Sequence, residues 1–262
     1  MNLATVIEHI ERNLAGDLSL AALARLAGVS PFHFHRLFRA AVGEAPKQYV
    51  RRLRLERAAT RLKLTHRSVT DIAFAVGYDT HEGFTRAFRG HFGVSPQQFR
   101  AALPPPPLPA RFAPRIESLP ARRIAFVRYV GPYDRNFEVF ERLAAWAAPR
   151  GLLGRDMLAR YWDDQDVTAP DQTRCEIALV VGDGFHGTPE VGVREIPAGD
   201  FAVFEQAGEV PERRSFYEAA YRNWLPSMRR RPTGAPPFEL YAVTARGADQ
   251  GQTRIHIPLR PR

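Results

Sequence analysis

Asp71-Ile72-Ala73-Phe74-Ala75-Val76-Gly77-Tyr78, followed by Phe84-Thr85-Arg86-Ala87-Phe88-Arg89 and Phe92-Gly93-Val94-Ser95-Pro96, is the stretch whose reading decides the architecture of this chain. It reads as a short helix, a glycine turn and a second helix whose Phe84, Ala87 and Phe88 share one face, which is the helix-turn-helix pattern. The same unit stands upstream. Leu23, Ala24 and Gly28 match Ile72, Ala73 and Gly77 at an offset of 49, and Phe34, Arg36, Phe38, Arg39, Gly43, Pro46 and Tyr49 match Phe84, Arg86, Phe88, Arg89, Gly93, Pro96 and Phe99 at an offset of 50. One residue is therefore inserted in the second turn.

Outward from the two copies the pattern stays helical. Leu3, Val6, Ile7, Ile10 and Leu14 make one face of a first helix, with Gly16 as its expected stop. Ser19 suits the cap of a helix carrying Leu20, Leu23, Ala24 and Leu26, and Ser30-Pro31 opens the next, Ser as N-cap and Pro in the first turn. Ser68 takes the same place in the second copy, and capping is its expected role and that of Ser30. A long helix over 46–64 separates the copies, and two repeats are too few for a solenoid. Two reading helices joined by a rigid one fit better.

Composition narrows the partners. The chain has 262 residues, 45% hydrophobic and 25% charged, enough for two domains with cores of their own. Without an apolar run of about 18 residues, and with Glu8, His9 and Glu11 where a signal peptide needs apolar sequence, a cytoplasmic protein with no membrane partner is expected. Cys175 is the single cysteine, which excludes an intrachain disulfide and a cysteine-based zinc site. Residues 1–103 hold 15 Lys/Arg against 8 Asp/Glu, and residues 104–262 hold 22 against 20. Arginine makes up 35 of the 37 basic residues, as a GC-rich genome would give, but that bias does not explain the asymmetry. A basic domain beside a near-neutral one suits a binder of double-stranded DNA, because phosphate neutralisation dominates nucleic-acid affinity.

Residues 1–103 resemble the AraC/XylS family, and the second copy carries the family's signature. The first reading helix turns Phe34, Leu37 and Phe38 inward and leaves Phe32, His33, His35, Arg36 and Arg39 outside; the second leaves Thr80, His81, Glu82, Thr85, Arg86 and Arg89. The resemblance places Phe32, His35 and Arg36, then His81, Glu82, Thr85 and Arg86, at base-reading positions. Arg36 and Arg86 are the leading candidates, since a guanidinium fork matches guanine O6 and N7; their alternative is a phosphate contact. Phe32 suits a thymine methyl or partial burial, His35 and His81 suit groove contact or plain solvation, and Glu82 suits cytosine N4 or support of Arg86. Two such helices on one body would enter successive major grooves about 34 Å apart, bending the DNA if the bridging helix holds them closer. A monomer would then read an asymmetric site.

Pro104-Pro105-Pro106-Pro107-Leu108-Pro109, with Pro114, marks a spacer over 104–114. Beyond it, residues 115–262 read as an α+β domain. Strand-rich runs cover Arg123 to Val130, Cys175 to Val181, Gly192 to Glu205, Phe238 to Val243 and Arg254 to Leu259, with helical spacing over 134–148 and 212–225. Tyr129 to Trp146 reads strand, glycine, helix, and the order recurs through Gly208 to Trp224. The domain is therefore expected to contain a duplicated strand-helix-strand-strand unit, its halves meeting about a pseudo-two-fold cleft.

Gly131-Pro132-Tyr133, Tyr161-Trp162-Asp163-Asp164, Ile196-Pro197-Ala198-Gly199-Asp200-Phe201-Ala202-Val203 and Pro237-Phe238-Glu239-Leu240-Tyr241 resemble the GyrI-like (Rob-type) small-molecule-binding domains. Gln165 stands where such domains often have proline. The resemblance implies an amphipathic or cationic effector, with Glu239 as counter-charge. A carboxylate beside aromatic rings is physically a cation site, and Tyr241 lies two residues on, on the same strand face. Tyr133, Trp146, Tyr161, Trp162 and Trp224 are candidate walls, each with ordinary packing as its alternative.

Three functions follow. One is a transcription regulator whose effector alters DNA affinity, DNA geometry or contact with RNA polymerase. The second is a constitutive DNA binder whose C-terminal domain holds a protein. The third is a hydrolase acting on electrophilic small molecules through Glu239 and tyrosines. No paired carboxylates, nucleophile elbow, phosphate loop or metal-spaced histidines support chemistry, so no enzyme, cofactor or metal is expected.

Overall fold

The computed structural model describes residues 3–103, 114–188, 190–207, 216–244 and 247–261. The chain divides into two compact units, Met1–Pro104 and Pro105–Arg262. Most of the proline spacer and Gly208 lie outside the described residues.

The first unit contains seven helices among its described residues: α1 (Leu3–Arg12), α2 (Leu20–Ala27), α3 (Pro31–Val42), α4 (Pro46–Leu64), α5 (Val69–Ala75), α6 (His81–Phe92) and α7 (Pro96–Ala101). Local chemistry sets their ends. The side chains of Ser19, Ser30, Ser68, Thr80 and Ser95 each accept a bond from a backbone N–H in the first turn of the helix they precede. Gly28, Gly43 and Gly93 close α2, α3 and α6 in the left-handed conformation. Gly16 does not act this way: α1 already ends at Arg12, and Leu14 is buried in the loop beyond it. Phe34, Phe38, Phe84 and Phe88 are completely buried, and the paired rings lie 5.5 Å apart in both copies. Each such ring contributes about 2–3 kcal/mol by leaving water.

Among its described residues the second unit is one antiparallel sheet with two helices. Its strands are β1 (Arg115–Leu119), β2 (Arg122–Val130), β3 (Met157–Tyr161), β4 (Arg174–Val180), β5 (Gly192–Ile196), β6 (Gly199–Ala207), β7 (Phe238–Thr244) and β8 (Gly247–Pro258). Helix α8 is Phe137–Ala147; α9 covers 216–227, with a π-helical turn over Ala220–Trp224. The sheet order is β1-β6-β8-β7-β3-β4-β2-β5. Exchanging β2, β3, β4 and β5 for β6, β7, β8 and β1 leaves that order intact, so the duplicated unit is present and its halves meet at the β3/β7 seam.

Two differences from the sequence reading matter. Strands β1 and β3 were not anticipated, and the run from Gly192 to Glu205 is two strands divided at Pro197-Ala198. β5 and β6 lie six strand spacings apart in the sheet, about 29 Å if flat. The three Cα steps from Ile196 to Gly199 span at most about 11 Å. The sheet must therefore curl until its ends approach. Ile124, Ile196, Phe201, Val203, Phe238, Leu240 and Leu158, from five strands spread between β6 and β5, accordingly belong to one buried cluster on the inner face. The helices cover the outer face, α8 over Ala125, Val127, Ala159 and Ile177, α9 over Ala202, Phe204, Ile255 and Ile257.

The inner face also buries His256, 2% exposed and stacked on Phe238 at 4.4 Å. Burial pulls its pKa down to about 4, with the charge of Arg122 acting in the same direction and the Arg254 carbonyl opposing. The unfolded chain takes up this proton near pH 6.5 and the folded chain only near pH 4, so stability falls as pH drops through that window. The loss totals about 3 kcal/mol for a shift of this size. Urea unfolding of the second unit should weaken accordingly between pH 7 and 4, and His256→Gln should flatten the slope.

Candidate functional site

In the first unit the outer faces of α3 and α6 carry the predicted readers. Phe32 is 73% exposed, and the Arg36 guanidinium lies 5.9 Å from its ring centre. His33, Arg36, Arg39, Thr80, Glu82, Arg86 and Arg89 are exposed, whereas His35, His81 and Thr85 are half-buried. Among the described residues no hydrogen bond or ion pair engages Arg36, Arg39, Arg86 or Arg89, and Glu82 does not hold Arg86. Thr80 is the N-cap of α6, its Oγ1 accepting from the Gly83 N–H at 3.1 Å. The Thr85 Oγ1 is buried without a partner, so its hydroxyl is not presented outward.

Much of the domain's basic excess has a different use. Arg52 pairs with Glu44 and Glu56. Arg54 donates to the Leu14 and Gly16 carbonyls, Arg57 to Glu11 O, Arg61 to Ala75 O, and Arg100 to Leu62 O and Arg67 O. These guanidiniums fasten α4 and α7 to neighbouring loops and helix ends. The charge sum anticipated a polyanion binder but could not separate such arginines from exposed ones.

In the second unit the polar centre of the outer face is Glu239, 2% exposed, on β7 at the seam between the halves. Tyr241 Oη donates to its Oε2 at 2.8 Å, and Tyr217 Oη, from α9, donates to Oε1 at 3.3 Å. Tyr161 Oη lies 3.5 Å from Tyr241 Oη and accepts from Asn136 Nδ2 at 3.2 Å. Phe140 on α8 packs edge-on against Tyr241, ring centres 5.7 Å apart. Burial, then the Glu239 charge, pushes the hydroxyls of Tyr217 and Tyr161 well above the ordinary tyrosine range. They stay protonated and turned to donation, which suits holding a carboxylate and opposes a tyrosinate base or nucleophile.

The other predicted walls are distributed. Tyr133 stacks near Tyr161, rings 4.8 Å apart, but its hydroxyl donates to Asp163 O and Arg174 O and accepts from the Asp163 N–H. Together with the Arg174–Asp163 ion pair, this makes the Gly131-Pro132-Tyr133 and Trp162-Asp163 motifs a structural clasp. Trp146 packs on Phe185 and under Arg150, six residues beyond Phe140 and thus about 9 Å along α8. Trp224 packs on Phe204 beneath α9. Trp162 lies under Arg160, on the inner face, because neighbours on an extended strand point opposite ways. Asn136, Phe140 and Tyr217 were not anticipated at the site. A spacing of four residues puts Phe216, Ala220 and Trp224 on one helical face, and Tyr217 begins the adjoining one.

Comparison with known proteins divides at the same place. A helix-turn-helix domain family matches residues 23–102, and the GyrI-like small molecule binding domain family matches residues 112–260. The HTH-type transcriptional regulator Rv1931c of Mycobacterium tuberculosis is 45% identical over 88 residues, 34% of this chain and 34% of that protein. The HTH-type transcriptional activator AarP of Providencia stuartii is 35% identical over 37% of this chain and 73% of its own length. The regulatory protein SoxS of Salmonella typhimurium is 33% identical over 38% of this chain and 92% of its own. The chain thus spans about a third of the first of these and most of the other two.

Proposed function

Because the chain belongs to the AraC/XylS family of DNA-binding transcription regulators through its first unit, and to the GyrI-like small-molecule-binding domains through residues 112–260, we propose that it reads a specific DNA site with both recognition helices and is controlled by an aromatic cation held at Glu239. The observation that carries the first half is the pairing of two exposed, unengaged arginine faces, Arg36 with Arg39 and Arg86 with Arg89, on repeated, rigidly capped helices. Phe32, His35, His81 and Glu82 complete the reading faces. For the second half it is a single buried carboxylate ringed by tyrosine hydroxyls, with Phe140, Tyr161 and Tyr241 as its walls. A cation entering this site meets a carboxylate in a buried, aromatic environment, where charge pairing and cation-π attraction reinforce one another.

The raised tyrosine pKa values favour effector binding over hydrolysis at the same carboxylate. Contact with RNA polymerase belongs to this reading as a regulator. The test is binding of genomic fragments to the full chain at fixed salt, with and without benzyltriethylammonium, a lipophilic aromatic cation. Affinity for tight sites should change with the cation while nonspecific binding does not; unchanged profiles would favour constitutive binding with a protein partner on the second unit.

Tyr217 also makes a prediction. Its hydroxyl occupies Glu239 Oε1, so an entering cation must compete with it. Tyr217→Phe should bind the cation several-fold more tightly by calorimetry, since one neutral hydrogen bond of about 1 kcal/mol no longer opposes entry. Equal or weaker affinity would show that Tyr217 does not guard the carboxylate.

A further inference from the structure

We propose that Arg54 is a positioning residue that sets the spacing of the two recognition helices, and so the separation of half-sites the domain accepts. This rests on the reading of α3 and α6 as two base readers on one body. Arg54 lies on α4, the helix that bridges the two helix-turn-helix units. Its Nε donates to Leu14 O at 2.8 Å and its Nη2 to Gly16 O at 3.2 Å, gripping the loop that enters the first helix-turn-helix copy. The same guanidinium abuts the turn of the second copy. A Cβ placed on Gly77 would fall 2.8 Å from Arg54 Nη2 and 2.5 Å from Leu14 O. The two copies therefore meet at a point where the Leu14 carbonyl, the Arg54 fork and the bare backbone of Gly77 are in contact.

The repeat supplies an internal control. Gly28 holds the equivalent turn in the first helix-turn-helix copy, with φ of 68°, and a Cβ there would meet nothing within 4 Å. At Gly77, φ is 91° and the missing side chain is also used for close approach. The second turn is thus built to receive the junction and the first is not. Arg57 and Arg61 add carbonyl bonds on either side, to Glu11 and to Ala75, while Arg54 reaches the first helix-turn-helix copy and touches the second. A planar fork that bonds two carbonyls at once fixes an orientation that a single ammonium or an apolar stem does not.

Each inserted base pair moves one half-site by about 3.4 Å and turns it by about 34° relative to the other. A double reader discriminates spacing only if its helices hold their separation more tightly than that. The experiment uses the full chain and duplexes carrying the half-sites selected by the wild type, with the spacer shortened or lengthened by one and two base pairs. Anisotropy titrations compare wild type, Arg54→Met and Arg54→Lys, with thermal melts to establish folding. For the wild type each one-base-pair change should cost on the order of 10-fold in affinity, the scale of a mismatched base pair. Arg54→Met should reduce this penalty to within about 3-fold while base preferences inside each half-site stay unchanged, a selective effect that general destabilisation does not produce. If Arg54→Met does not fold, Arg54→Lys, which keeps the charge but not the fork, gives the same reading. A folded variant as strict about spacing as the wild type, or one weakened equally at every spacing, overturns the assignment of Arg54 alone. A wild type indifferent to spacing overturns the two-reader account together with it.

Discussion

Replacing Arg36 and Arg86 together by alanine is expected to abolish tight, site-specific DNA binding and leave weak binding that falls steeply with salt. A guanidinium bidentate on guanine is worth about 1–3 kcal/mol of discrimination, so the pair should cost about 2–6 kcal/mol, roughly 30-fold to 20,000-fold in affinity for the preferred site. Both side chains are exposed and unengaged by hydrogen bonds or ion pairs among the described residues, so the thermal stability of the domain should barely change. The rest of the basic surface still neutralises phosphates and sustains the residual binding. If both arginines contact phosphate instead, every sequence should weaken alike and the salt dependence should become shallower. Competition titrations at two salt concentrations separate these outcomes.

The second large effect is expected at Glu239. Glu239→Gln keeps the shape of the side chain and an oxygen to accept from Tyr217 or Tyr241, but removes the carboxylate from the polar centre of the site. Affinity for benzyltriethylammonium should fall by about 2 kcal/mol, roughly 30-fold, and the thermal stabilisation it gives the wild type should disappear at matched concentration. Retained stabilisation would place the cation elsewhere and detach the second unit's proposed role from this carboxylate.

Much of the first unit was legible because its signals are local. The repeat, the serine caps and the opening prolines lie within a few residues of what they determine, and the expected bridging helix over 46–64 matches α4. The second unit depends on distant pairing. β1 is a short edge strand with no fully buried residue and no apolar run, and β3 hides beside a motif read for its aromatic residues. The curl follows from sheet order joined to short connections, neither of which periodicity reveals. At the site, Glu239 and Tyr241 share a face by strand alternation alone, and Tyr161 joins them across the seam. The same alternation, applied to Tyr161 and Trp162, separates them, but only once β3 is known to be a strand. Tyr217 reaches the site from α9 and Asn136 from the turn before α8, so no sequence spacing links them to Glu239. The arginines of α4 show the same limit: composition counts charge, while only packing distinguishes a guanidinium bonded to carbonyls from one facing solvent.

The most direct test of two readers on one domain is dimethyl sulfate footprinting of a selected site, which reports access to guanine N7 in the major groove. The full chain should protect guanines in two patches about one helical turn apart on one face of the duplex. Arg36→Ala should release one patch and Arg86→Ala the other. A single protected patch, or uniform protection insensitive to either substitution, would contradict the account.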